Sequence, residues 1–407
     1  MKWSPQQEAA LNDVKAWLKN PKELIYRLFG FAGTGKTTLA RHLVEGISGL
    51  VLNGAYTGKA ALVMRQNGVE NATTFHKMVY RLVPMDEIKM RELKKEKKTA
   101  SPEEADRIMM EMRELSQPKF EVNPESGVRR AKLIVLDECS MLNDAHRRDI
   151  LSFNVPILVL GDPGQLPPIS GEGAFTRDPP QTLLTEIHRQ ALDNPIIQLS
   201  MLAREGRKIP FETFGESMKI RLSQFRLKHA KEANQIICGK NETRRMQNKK
   251  WRYHHDFIDT YPMEGEKVIC LKNSVIELHD EETDKTRTTA IFNGQLFSVV
   301  DSEESSPYTN LLVKDEEGTE TPVEAFNAYF DEYRFPETLK EYTQYDMKGF
   351  HQFDFGYAIT CHKSQGSQWP NILLLDDHIF GRDPEMRKQW LYTAITRAEN
   401  SICIVDG

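Results

Sequence analysis

Residues 30–37 read Gly30-Phe-Ala-Gly-Thr-Gly-Lys-Thr37, the spacing G-x-x-x-x-G-K-T, directly after the apolar run LIYRLF. A glycine-rich turn between a strand and a helix lets backbone N–H groups converge on a phosphate, and the helix N-terminus adds positive potential. In such a loop Gly33, Thr34, Gly35, Lys36, Thr37 and Thr38 form a nucleotide cradle. Lys36 would reach the β/γ-phosphates and the Thr37 hydroxyl would ligate Mg²⁺. About 100 residues later the run Lys132-Leu-Ile-Val-Leu-Asp137-Glu138 ends in two adjacent carboxylates. Asp137 suits the metal, and Glu138 suits the general base that polarises an attacking water. A third apolar run ends in Gly161-Asp-Pro-Gly-Gln-Leu-Pro-Pro168, where Gln165 can sense a γ-phosphate. Taken without the other motifs, that segment reads first as a proline-stiffened turn. The chemistry these residues could do is Mg²⁺-dependent hydrolysis of ATP.

Strands must deliver these groups. Short apolar, β-branched runs at 23–31, 50–53, 132–137, 155–161, 235–238, 371–376 and 401–405 end in polar or Gly-rich turns. Such runs, followed by helical patterns, predict buried parallel strands in α/β layers. They fall into two groups, predicting two successive α/β domains with a boundary within 183–190. Each group is interrupted. Residues 84–119 carry nine basic and nine acidic side chains, and Ser101-Pro102-Glu103-Glu104 combines an N-cap, a first-turn proline and a capping-box glutamate. Ala105, Ile108, Met109, Met112 and Leu115 then line one helical face, so the insert is predicted helical, functional or merely solvated. Within 266–349, runs at 266–271, 290–300, 310–314 and 319–323, with turn signals at Asn293-Gly294 and Glu317-Gly318, predict a small β-barrel. The acidic stretches 279–284 and 301–306 are expected to be solvated loops.

The 407 residues are 39% hydrophobic and 28% charged, which excludes a disordered or fibrous chain. No apolar run approaches the ~18 residues of a membrane span, and the first twenty residues lack the apolar stretch of a secretory signal. A cytoplasmic protein without membrane partners is expected. The five cysteines are scattered with no C-x-x-C pair, so reduced thiols are expected instead of disulfides or a zinc site. Net charge is −5, yet residues 219–252 hold eleven basic and two acidic residues, leaving the rest at −14. A stripe of this kind can neutralise nucleic-acid phosphates in a salt-sensitive way, although part of it would serve as a solvated helix face.

The combined motifs resemble the superfamily 1 helicases of the Dda-like and RecD-like branch. Beyond the segments above, the chain shows Thr57-Gly-Lys-Ala-Ala61, Thr73-Thr-Phe-His76, Glu186-Ile-His-Arg-Gln190, Tyr357-Ala-Ile-Thr-Cys-His-Lys-Ser-Gln-Gly366 and Tyr392-Thr-Ala-Ile-Thr-Arg397. The resemblance implies two RecA-like domains closing over one ATP, with single-stranded DNA crossing both. The implied boundaries are 1–77 with 130–185 for the first domain and 186–265 with 350–407 for the second. A helical insert at 78–129 would be the candidate pin, and 266–349 an SH3-like barrel. The same resemblance makes Gln7 of Ser4-Pro-Gln-Gln7 the adenine reader, and Arg189 and Arg397 the arginines that reach the γ-phosphate. It puts His188 against the base or in a packing role, and Gln368 near the ribose or phosphates. By resemblance Thr57, Lys59, Thr74, Phe75 and His76 line the DNA strand in the first domain. Asn241, Arg244, Thr360, His362, Lys363 and Ser364 do so in the second, with Phe75 or His76 able to stack on a base.

The activity implied is that of a monomeric DNA helicase moving 5′→3′ on tailed duplexes, in replication, recombination or repair in a bacterial or phage-infected cell. Its direction comes from the resemblance alone. Two alternatives stay open: a translocase or motor subunit that does not unwind by itself, and a P-loop binding protein or small-molecule kinase indifferent to DNA.

Overall fold

The computed structural model describes residues 3–407 except 70, 84–85, 116–118, 168–172, 188–192, 281–284, 336, 343–346 and 348. Helix α1 (Pro5–Lys19) starts at a capping box in which the Ser4 hydroxyl and the Gln7 side chain each satisfy the other residue's backbone N–H. Strand β1 (Ile25–Gly30) follows, then α2 (Lys36–Glu45), β2 (Val51–Ala55), α3 (Gly58–Gln66), β3 (Thr73–Thr74) and α4 (Phe75–Val79). The next segment comprises β4 (Tyr80–Val83), α5 (Glu87–Lys97), α6 (Pro102–Leu115) and β5 (Lys119–Val122). The chain then returns through β6 (Leu133–Asp137), α7 (Asp144–Leu151), β7 (Ile157–Gly161) and β8 (Thr182–Leu184).

The first sheet has the order β3-β2-β6-β7-β1-β8, and its five neighbouring pairs are all parallel. Ile25 and Phe29 of β1 enter one core with Ile134, Leu136, Ile157 and Val159. Tyr26 and Leu28 enter the opposite core with Leu39, Leu43, Val135, Leu158 and Leu160. Burial on both faces explains why these strands read as continuous apolar runs.

A second layer follows: α8 (Pro195–Arg204), β9 (Thr213–Phe214), β10 (Ser217–Arg221), α9 (Leu227–Lys231), β11 (Gln235–Cys238) and α10 (Asn241–His254). Strands β12 (Lys267–Cys270), β13 (Ser274–Asp280), β14 (Lys285–Ile291), β15 (Leu296–Glu304), β16 (Tyr308–Lys314) and β17 (Glu320–Phe326) come next, with α11 (Ala328–Asp331) and β18 (Phe353–Phe355). The chain ends with β19 (Ala358–Thr360), β20 (Trp369–Asp376), α12 (Pro384–Ile395) and β21 (Ala398–Asp406). The second sheet has the order β19-β11-β20-β21-β10-β9. Thus all seven apolar runs became strands of two α/β sheets.

Contacts group the chain into two units. One holds Met1–Tyr80, Val122–Arg244 and Ile359–Gly407, and therefore both of these sheets. The other holds Arg81–Glu121 with Arg245–Ala358. Within the latter, α5 and α6 pack together, and α6 starts at the Ser101–Glu104 capping box that the sequence signals. The β4–β5 ribbon at the base of that hairpin is absent from the sequence reading. The remainder is a five-stranded sheet, β17-β16-β15-β12-β18, antiparallel throughout, beside a β13–β14 hairpin.

Two loop expectations are corrected. Residues 301–304 extend β15 and pair with β16, because the backbone ladder continues past the buried part of the strand while the acidic side chains stay in solvent. His279 and Asp280 belong to β13, while 281–284 lie outside the described residues.

The basic stripe is partly consumed by structure. Glu266 is fully buried and accepts from Arg252 at 2.7 and 2.8 Å and from the Met263 N–H at 2.9 Å. Arg245 pairs with Glu332 at 3.1 Å, and Lys219 pairs with Asp406. Asn248, also fully buried, holds the Phe355 carbonyl and the Ala358 N–H. Removing one partner of a buried, hydrogen-bonded pair strands the other's charge, so Arg252→Ala or Glu266→Gln should each cost about 3–5 kcal/mol in urea denaturation. A loss under about 1 kcal/mol would show that water reaches this pair as it does a surface bridge.

Candidate nucleotide site

The loop between β1 and α2 turns through Gly33 (φ 78°) and Gly35 (φ 77°), a left-handed region that other residues enter at a cost. A side chain at Gly30 would meet Thr34 Oγ1 at 2.6 Å. Helix α2 has no side-chain cap, so its first N–H groups are left for a ligand, the usual physical basis of anion binding there. Lys36 Nζ rests near the Phe31 carbonyl (3.2 Å) and Asp162 Oδ2 (3.8 Å). Thr34 is buried, its hydroxyl on the Phe31 carbonyl.

Strand β6 brings Asp137 to the loop, where the Thr37 hydroxyl donates to Asp137 Oδ2 at 3.1 Å. Burial, then the neighbouring Glu138 charge, push the Asp137 carboxyl up to about 6. Glu138 adopts φ 50°, and its N–H donates to Asp137 Oδ1 at 2.8 Å. A left-handed glutamate costs on the order of 1–3 kcal/mol, and such strain clusters at functional positions. The Thr37 and Asp137 oxygens form the hard donor pair that Mg²⁺ prefers, and they fit the ion. When bound, Mg²⁺ would neutralise charge on the phosphates.

Beyond β7, Gln165 is 9% exposed. With its amide turned to satisfy both neighbours, it donates to Glu138 Oε2 at 3.3 Å and accepts from Arg397 Nη2 at 3.1 Å. Arg397 follows α12 of the second sheet and is 2% exposed. It also donates to the carbonyls of Thr393 (3.1 Å) and Ser367 (3.2 Å). Gln368 Nε2 donates to the Thr396 carbonyl at 3.3 Å. A cleft of about 530 Å³ is lined by Lys36, Thr37, Thr38, Asp137, Glu138 and Gln165 of the first sheet's loops, and by Gln368 and Arg397 from the second. Two sheets thus contribute to one cavity, with a cradle on one wall and an arginine on the other.

Other expected residues sit differently. Gln7 is 2% exposed, its Nε2 on the Thr34 carbonyl at 3.0 Å and its Oε1 on the Ser4 N–H at 3.1 Å. It props the nucleotide loop at Thr34 and is not among the residues that line the cleft. His188 and Arg189 lie outside the described residues.

Along the proposed DNA track, Phe75 is fully buried, edge-on to His76, Tyr80 and His146, so it packs the core and cannot stack on a base. Ser364 is likewise fully buried, its hydroxyl on the Cys361 carbonyl at 2.7 Å, which withdraws it from phosphate contact. Thr74 is 5% exposed and caps α4. Thr57 caps α3 and donates to the Gly366 carbonyl at 3.1 Å. Lys59 falls in α3, its side chain outside the described set. His76 remains half-buried, and burial together with His146 pushes its pKa down to about 4, making it a neutral aromatic at pH 7. Asn241 is exposed, and its Oδ1 accepts from the largely buried Arg244 at 3.3 Å. Thr360, His362 and Lys363 are half-buried, and burial lowers the His362 pKa.

Asp162, which lines the cleft, and Tyr392 and Thr393, which pack behind its wall, had no role assigned from the sequence. Asp162 Oδ2 accepts from the Tyr392 hydroxyl at 2.6 Å, and that hydroxyl accepts from the Ala32 N–H at 2.7 Å. The Thr393 hydroxyl accepts from the Leu166 N–H at 2.8 Å. Tyr392 and Thr393 are polar residues inside the buried C-terminal end of helix 384–395, and that was the available signal.

Fold and cleft define a P-loop nucleotide-binding protein. Residues 2–223 match the family model described as "AAA domain", and 355–405 the one described as "UvrD-like helicase C-terminal domain". The chain belongs to the AAA domain family. It is 25% identical over 291 residues to the ATP-dependent RecD2 DNA helicase of Deinococcus radiodurans, covering 66% of this chain and 35% of that protein. An uncharacterized protein of Methanocaldococcus jannaschii is 23% identical over 462 residues, covering 93% of this chain and 36% of the relative. The chain therefore spans about a third of the length of these curated relatives. Among solved structures, that of Bacteroides Pif1 bound to ssDNA has a TM-score of 0.50 at 17% identity, covering 99% of this chain and 92% of that one. That likeness concerns the fold.

Proposed function

We propose that the chain is an ATP-dependent DNA helicase that moves 5′→3′ along single-stranded DNA and separates duplex strands. The observation that carries this reading is the cleft in which Lys36, Thr37, Asp137 and Glu138 of one sheet face Arg397 of the other. An arginine delivered from a second layer makes hydrolysis depend on how the two layers meet, which is how a nucleotide cycle can be converted into movement. In this reading Lys36 and the α2 N-terminus bind the phosphates, Thr37 and Asp137 hold Mg²⁺, and Glu138 takes the proton of the attacking water. Gln165 senses the γ-phosphate, and Arg397, with Arg189, steadies the charge that develops on it.

The same reading divides the chain into two RecA-like domains, 1–77 with 130–185 and 186–265 with 350–407. Residues 78–129 act as the separating element and 266–349 as an SH3-like brace. The grouping of both inserts in one compact unit supports that assignment. DNA contacts rest on exposed or half-buried groups: His76, Asn241, Thr360, His362, Lys363 and the exposed lysines of the basic stripe, Lys228, Lys231, Lys240, Lys249 and Lys250. Strand displacement in the presence of Mg²⁺-ATP tests the proposal. The wild-type chain should separate a tailed duplex and Lys36→Ala should not, whereas hydrolysis stimulated by single strands without displacement would favour a translocase.

A further inference from the structure

Between β7 and the end of the described part of its loop, the first layer is gripped twice by neighbouring residues of α12. The Tyr392 hydroxyl stands between the Ala32 N–H of the nucleotide loop (2.7 Å) and Asp162 Oδ2 (2.6 Å). The Thr393 hydroxyl accepts from the Leu166 N–H (2.8 Å). Gln365 closes the second grip, its Nε2 donating to the Leu166 carbonyl at 2.7 Å. Residues 162 and 166 flank Gln165, whose amide spans Glu138 and Arg397. All four α12-side and loop-side partners are buried: Tyr392 is 1% exposed, Thr393 and Leu166 are fully buried, and Asp162 has 5% of its side chain exposed. The ring of Tyr392 also fits only because residue 164 is glycine, since a Cβ there would lie 2.9 Å from it.

We propose that Tyr392, with Thr393 as its partner, is a positioning residue: its hydroxyl fixes α12 against the nucleotide loop and so sets Arg397 and Gln165 at the distance hydrolysis requires. This inference rests on the ATPase reading of the cleft and adds to it. Lys36 lies 3.8 Å from Asp162 and must turn to the phosphates when ATP binds. Asp162 then keeps the Tyr392 hydroxyl and the Gly164 N–H (2.9 Å) as its hydrogen-bond donors. The tyrosine grip therefore matters most when nucleotide is present, at the moment Arg397 has to be in place. Because the hydroxyl contacts the loop at Ala32 and not the cradle residues Gly33 to Thr38, its loss should leave ATP affinity nearly intact.

The test is a double-mutant cycle on steady-state ATP hydrolysis by the full chain, with Tyr392→Phe, Arg397→Lys and the two combined. Tyr392→Phe keeps the ring and should lower kcat by about tenfold to a hundredfold, the scale of a catalytic group displaced by an ångström, with KM within about threefold of wild type. The combined variant should be no more than about threefold below Arg397→Lys alone, because an arginine already replaced has no position left to lose. A packing role for the tyrosine would instead multiply the two losses, and that result overturns the proposal. So does Tyr392→Phe turnover within about twofold of wild type, or Arg397→Lys without loss. Should Tyr392→Phe fail to fold, Thr393→Val carries the same cycle. Lys36→Ala run alongside separates the two readings. Its hydrolysis at the wild-type rate would remove the ATPase assignment itself, whereas a dead Lys36→Ala beside an unimpaired Tyr392→Phe removes only this inference.

Discussion

Glu138→Gln should lower ATP turnover by about two to four orders of magnitude while leaving nucleotide binding close to wild type. The substitution keeps the side chain's size and its contact with Gln165 but removes the only group in the assignment that can accept the proton of the attacking water. Asp137 cannot substitute, because it is engaged by the Thr37 hydroxyl and the Glu138 N–H and is the residue assigned to the metal. Binding of a fluorescent ATP analogue, measured beside phosphate release, separates the two steps. Hydrolysis within tenfold of wild type would remove Glu138 from the base role and point to a water ordered by Gln165 alone.

Arg397→Ala carries the second large effect, a fall in kcat of about 10³–10⁵, the range found when an arginine that stabilises a transferring phosphoryl group is removed. A guanidinium suits the task because its planar fork already holds the Thr393 and Ser367 carbonyls with one edge still directed at Gln165. KM for ATP should change far less than kcat, since the group acts on charge that develops only as the bond breaks. A variant whose KM rises a hundredfold at unchanged kcat would make Arg397 a ground-state binding residue instead.

The sheets and the cradle were legible because both follow local rules. Strands buried on two faces must be apolar throughout, and the loop from Gly30 to Thr37 must be glycine-rich where φ is positive. The carboxylates at the end of β6 are equally local, since a strand end beside the loop is where an ion can be met. What stayed illegible depends on which way a side chain turns. Phe75, Ser364 and Thr74 stand in segments that resemble a DNA track, yet one packs a core and two satisfy backbone groups nearby. Gln7 and Tyr392 exchange expected weight for the same reason. The first is consumed by its own helix cap and the Thr34 carbonyl, while the second meets a partner 230 residues away through Asp162. Acidic composition also misled at 301–304, where pairing with β16 makes a strand whose side chains remain largely in solvent, as charged residues can. The β4–β5 ribbon left no signal, because a short strand paired with another across a helical hairpin has no periodicity of its own length to show.

Strand displacement on duplexes bearing either a 5′ or a 3′ single-stranded tail, with Mg²⁺-ATP and with Lys36→Ala as control, tests the central claim most directly. Displacement of the 5′-tailed duplex alone, abolished by Lys36→Ala, is the predicted result. Displacement of the 3′-tailed duplex alone would contradict the direction, and none from either tail would contradict the helicase reading itself.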